Sequence, residues 1–108
     1  MIPIGGYFSL EINEGQELHG QALRLNAGRY ALEYILKVRG YRKVYISYYI
    51  CDSALQPISR LGVPCEFYHI NEQLEPAIEL SPADDEAVLY VNYFGLKNRI
   101  ASTFCYAY

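Results

Sequence analysis

Tryptophan is absent from this 108-residue chain, methionine occurs once, and histidine occurs only at His19 and His69. Two isolated imidazoles, with no cysteine or carboxylate at ligand spacing from them, do not make the donor set of a zinc centre. The cysteines, Cys51, Cys65 and Cys105, are odd in number and contain no CxxC pair. That argues against a disulfide scaffold and fits a reduced, cytoplasmic protein. No apolar run approaches the roughly 20 residues of a membrane span. The first residues lack a basic region followed by an apolar core, so neither a membrane anchor nor a signal peptide is expected. Charge of neither sign dominates. The net charge of -3 argues against nucleic acid as an electrostatic partner. The small cluster Lys37, Arg39, Arg42 and Lys43 falls at a predicted helix end, where cations complement the helix dipole.

What the chain does hold is apolar and aromatic. Hydrophobic residues make up 52% of it and tyrosine occurs twelve times, so it belongs with ordered globular proteins. Tyrosine is amphipathic and enriched at interfaces, and a homo-oligomer is the expected use of the surplus. The length suits one domain spanning residues 1–108, with 97–108 as an atypical tail.

Tyr7–Ile12 alternates polar with apolar residues, the pattern of a half-buried strand. Asn13-Glu14-Gly15 is a turn signal, and Ala22–Leu25 is a candidate short strand. Asn26–Arg39 is the clearest helix, with Asn26 as cap and Ala31, Leu32, Ile35, Leu36 and Arg39 on one face. Gly40 ends it in a left-handed cap. Lys43–Tyr49 then reads as a strand, Asp52–Leu61 as a helix with Asp52 or Ser53 as cap, and Cys65–Ile70 as a second strand. This is a βαβ unit with parallel strands. Pro57 sits near the helix start, where it is tolerated. Asn71–Asp85 is a polar, acidic connector. The near-continuous apolar run Ala87–Phe94 predicts a strand buried on both faces. The tail Ser102–Tyr108 is strand-like by propensity. The alternation predicts an α/β, three-layer sandwich with a mostly parallel sheet.

Three chemistries are conceivable on this frame. Cys51 lies after a strand and before a helix N-terminus, a place that lowers a thiol pKa. His69 ends the neighbouring strand, but a Cys–His nucleophile needs an orienting group that only Asp52 offers. The acids Glu72, Glu75, Glu79, Asp84, Asp85 and Glu86 fall in the connector, where solvation accounts for them. The start of the first helix, Asn26-Ala27-Gly28-Arg29, has amides with no internal partner and a neighbouring charge, the make-up of a phosphate site.

The stretches LNAGRYALEYIL, KVYISYYICDSALQPI, LGVPCEFYHINEQLEP and LYVNYFG, in that order, resemble the N-terminal part of the large domain of the DegT/StrS-type sugar aminotransferases. These are pyridoxal-phosphate enzymes of the aspartate aminotransferase fold. The resemblance runs from about Gly5 to Leu96. It implies that Gly28 and Arg29 hold the cofactor phosphate and that Cys51 faces the pyridine ring, at a position usually aromatic. Ser47 stands where the family often has proline, and Asn92 where many members have histidine. The resemblance places strand 88–94 beside 44–48, with 66–70 outside it.

No lysine here matches the one that binds the cofactor covalently. The matching regions for that lysine and for the aspartate that pairs with the pyridine nitrogen lie beyond Tyr108. The expectation is therefore a truncated, catalytically incomplete aminotransferase-like domain, either oligomeric or completed by a missing C-terminal part. The alternative is a non-enzymatic module that self-associates through an open sheet edge, which the strand-like tail would otherwise fill.

Overall fold

A computed structural model describes Gly15 and residues 20–105. The predicted strand Tyr7–Ile12 lies outside the described residues. Within them, the chain folds as helix, strand, helix, strand, strand, helix. These are α1 (Gly28–Arg39), β1 (Lys43–Ser47), α2 (Leu55–Arg60), β2 (Cys65–Tyr68), β3 (Glu86–Leu89) and α3 (Asn98–Cys105). Short 3-10 turns at Asp52–Ala54 and Tyr93–Gly95 follow β1 and β3.

The sheet is parallel throughout, in the order β2-β1-β3. Val44 pairs with Cys65 on one side and Ala87 on the other, and Ile46 with Phe67 and Leu89. Period-two geometry puts these residues on one face. On that face Val44 and Ile46 pack with Leu36 of α1 and Ile58 of α2, all four at 3% exposure or less. Leu32, Leu55, Cys65, Ala87 and Leu89 close around them. α1 also packs on α2 and on the Asp52–Ala54 turn, so α1 and α2 share this face. On the other face Tyr68 is buried and its hydroxyl donates to the Leu89 carbonyl at 2.7 Å. Phe104 of α3 packs on Tyr90 with ring centroids 5.3 Å apart.

α1 starts later than its sequence suggests. Ala27, not Asn26, is the N-cap residue, and no side chain caps the terminus. Gly40 has φ 63°, and its amide donates to the Leu36 carbonyl, the left-handed stop expected. The buried stripe is narrower than predicted. Leu36 is buried and Ala31 and Leu32 half-buried, but Ile35 and Arg39 are exposed. Around α2, neither Asp52 nor Ser53 caps through its side chain. The chain enters instead through the 3-10 turn, and Pro57 is buried within the first turn of the helix, where it removes no hydrogen bond.

Three expectations are corrected. Ala22–Leu25 is not a strand, and Leu23 and Leu25 are exposed. The run Ala87–Phe94 is a strand only to Leu89 and, among the described residues, stands at the sheet edge and is half-buried. It stops early because the Tyr93 amide turns back onto the Val91 carbonyl at 2.9 Å. Phe94 and Gly95 then take left-handed conformations. As far as Cys105 the tail does not add a strand to that edge, and the rest of the expected strand, Tyr106–Tyr108, lies outside the described residues. Ile100, Ala101 and Phe104 recur at helical spacing, and burial of that stripe outweighs β-propensity, so the segment forms α3.

Candidate functional site at the carboxyl edge of the sheet

The order of strands locates the site. From β1 the chain crosses to β2 on one side, then returns past β1 to β3 on the other. The connections thus diverge between β1 and β3, and in open parallel sheets the crevice beyond the strand ends at such a point is where ligands bind. A cleft of about 570 Å3 lies there, lined by Tyr48, Tyr49, Ile50 and Cys51 after β1 and by Val91, Tyr93 and Phe94 after β3. Its size falls in the range of small-molecule sites.

Tyrosine builds the cleft. The Tyr93 hydroxyl donates to the Tyr49 carbonyl at 2.9 Å and lies 3.1 Å from Ser47 Oγ, and its ring stacks on Tyr49 at 5.5 Å. Ser47 is fully buried, and its Oγ also accepts the Tyr49 amide at 3.0 Å. A serine here is small enough to sit beneath Tyr93 and polar enough to pin the turn. Alongside, Tyr48 stacks between Phe67 at 4.9 Å and His69 at 4.4 Å. Phe94 is 80% exposed at φ 56°, a left-handed value uncommon for a side-chain-bearing residue.

Cys51 forms part of the cleft wall. Ser53 Oγ donates to its thiol at 3.2 Å. Hydrogen bonding from Ser53 holds the thiol pKa below its ordinary value, against the opposing effects of burial and of Asp52. His69 packs on Tyr48, so the geometry builds a tyrosine–histidine stack and not a Cys–His couple. Gly28 and Arg29 are not in the cleft lining. They stand at the same end of the sheet, because α1 returns antiparallel to β1 through a three-residue turn. Nothing lies within 4 Å of a Cβ built on Gly28, and the Arg29 guanidinium rests over the Tyr30 ring at 4.9 Å. Among the described residues no group of three histidine, cysteine or carboxylate side chains is placed to hold a metal.

Lys37, Lys43 and Lys97 are all the lysines of the chain. Each is paired with a glutamate, Glu33, Glu66 and Glu75 respectively, and none lines the cleft. The connector acids are likewise more than a solvated run. Glu86 is buried at the start of β3. It accepts from Arg42 Nη2 at 2.6 Å and from the Tyr45 hydroxyl and the Ala83 amide at 3.1 Å each. No local pattern links Ser47 with Tyr93, which are 46 residues apart. Their burial within an apolar run was the available signal. Comparison with family models, with curated proteins and with solved structures finds no match.

Proposed function

We propose that this chain is a ligand-binding scaffold of the aminotransferase large-domain type, a three-layer α/β unit that binds a planar, phosphate-bearing ring of the pyridoxal phosphate kind without forming a covalent bond to it. The observation that carries the reading is the tyrosine-walled cleft at the β1–β3 divergence, on the same end of the sheet as the uncapped α1 terminus. The residues present fit such a group. Tyr49, exposed and backed by the buried Tyr93 ring, offers a ring face for stacking, Cys51 the side wall, and the Gly28 and Arg29 amides with the guanidinium a phosphate cradle. The group, when bound, supplies an electron-withdrawing ring to amino substrates. The chain's own residues bind, orient and shield it. No lysine lines the cleft, so none is placed there to attach the group covalently.

Pyridoxine 5′-phosphate is the appropriate probe, since it lacks the aldehyde that reacts with surface amines. Calorimetric titration of the full chain should show tighter binding of it than of pyridoxine or inorganic phosphate alone. Arg29→Ala should narrow the gap between the phosphorylated and unphosphorylated ligands, and Tyr49→Ala should weaken both. No saturable binding at millimolar ligand, or binding indifferent to both substitutions, would overturn the proposal.

A further inference from the structure

Phe94 stands where it works against the fold. Its backbone has φ 56° and ψ 18°, a left-handed conformation that glycine adopts freely and that a residue with a Cβ adopts at a cost. Its ring is 80% exposed, so burial of apolar surface offsets little of that strain. Its neighbours differ from it in this respect. Tyr93 is buried and bonded across the cleft to Tyr49. Gly95, at φ 71°, is the residue type its own conformation favours.

The turn that carries Phe94 is held on both sides. The Gly95 amide donates to the Asn92 carbonyl at 3.1 Å and the Leu96 amide to the Tyr93 carbonyl at 3.0 Å. The Asn92 side chain adds two bonds. Its Oδ1 accepts the Lys97 amide at 2.7 Å, and its Nδ2 donates to Asn98 Oδ1 at 2.5 Å. The Tyr93 hydroxyl anchors the same turn to the segment after β1. The backbone at position 94 is therefore fixed by its surroundings. That is the condition under which a strained residue persists, and such residues cluster at ligand clamps.

The cleft shows what the ring can do there. Its β3 wall is made by Val91, Tyr93 and Phe94. Val91 has no ring. The Tyr93 ring is 6% exposed, stacked on Tyr49 and edge-on to Tyr90. Of these three residues, Phe94 alone has a ring face to offer. From the β1 wall, Tyr49 at 58% exposure offers another.

We propose that Phe94 is the second ring-binding residue of the cleft, so that a planar ligand is held by Tyr49 from one wall and by Phe94 from the other. This rests on the reading of the cleft as a site for a planar ring. One residue then acts in opposite directions: its backbone strain lowers stability, and its ring raises affinity.

Calorimetric titration of the full chain with pyridoxine 5′-phosphate and with pyridoxine, paired with urea unfolding, tests this. Phe94→Leu keeps a Cβ at the strained position and removes only the ring. It should leave the urea midpoint in place and weaken both ligands by roughly three- to tenfold. The loss should be equal for the two, since Phe94 meets the ring and not the phosphate. Phe94→Gly should weaken them at least as much while raising the midpoint, and Phe94→Tyr should bind more tightly than Phe94→Leu. Affinity unaltered by Phe94→Leu and Phe94→Gly, in a chain that binds when unsubstituted, would overturn this assignment alone. A lowered midpoint for Phe94→Gly would also overturn it, by showing that the ring supports the fold. Absence of binding by the unsubstituted chain would remove the reading of the cleft, and this assignment with it.

Discussion

Tyr93 and Tyr49 are joined by a 2.9 Å hydrogen bond from the Tyr93 hydroxyl to the Tyr49 carbonyl, and their rings stack. This ties the segment after β3 to the segment after β1, the two walls of the cleft. Tyr93 is only 6% exposed, so loss of its hydroxyl leaves the part-buried Tyr49 carbonyl without that donor. Tyr93→Phe should cost about 1–3 kcal/mol of stability, read as a lower urea midpoint with unchanged m-value. A midpoint within error of the unsubstituted protein would show that the bond contributes nothing to holding the walls together.

The core of the sheet is small, and its centre should be correspondingly sensitive. Ile46 is fully buried between Leu36 and Ile58. Ile46→Ala removes three carbon atoms from a site walled by two helices and should cost about 2–5 kcal/mol, measured by thermal or urea unfolding. Val88→Ala, on the half-buried edge strand, should cost clearly less. Equal costs would mean that the edge is covered as fully as the centre.

How far these features could be read in advance depended on whether they are local. The βαβ unit is legible because its signals are short-range, the β-branched run after Lys43 and the helical segment that follows it before Cys65. As far as Cys105 the tail departs from its strand propensity, because the helix is set by what Phe104 meets, namely Tyr90, fourteen residues earlier. The place of the cleft is legible, since Cys51 falls after a strand and before a helix N-terminus in a parallel sheet. Its construction is not, because Ser47 and Tyr93 meet only through the return of the chain to β3. Glu86 was read as loop for the same reason. Its partners Arg42 and Tyr45 are more than forty residues away.

The two described thiols should differ in reactivity. Cys51 is exposed, and Ser53 stabilises its thiolate, while burial pushes the Cys65 thiol up. The thiolate is the nucleophile. Iodoacetamide near pH 7.5, followed by peptide mapping, should therefore modify Cys51 well before Cys65. Ser53→Ala should shift the pH dependence of Cys51 alkylation upward and slow it at neutral pH. An unshifted profile would show that exposure alone sets the rate.

Acid should act through the start of β3. Arg42 reaches Asp85 at 2.9 Å and Glu86 at 2.6 Å. The Ala83 amide, the Tyr45 hydroxyl and the Arg42 and Lys43 charges hold the Glu86 carboxyl below its ordinary range, in spite of burial. Asp85 is lowered chiefly by Arg42, and Glu33 chiefly by Lys37. A carboxyl whose pKa is depressed by folding binds fewer protons folded than unfolded, so it stabilises the fold above the ordinary carboxylate pKa. That contribution falls away as pH drops through the depressed value. The window opens near pH 4–5, roughly the ordinary carboxylate range, and extends downward. Surface pairs contribute little individually, so the buried Glu86, with three donors, should dominate. Glu86→Gln should lower the unfolding midpoint at pH 7, and the gap should shrink steadily below about pH 4, as protonation makes the native carboxyl resemble the amide. A gap that stays constant from pH 7 to pH 3 would mean that the side chain supports β3 by packing and neutral hydrogen bonds, and that its charge is incidental.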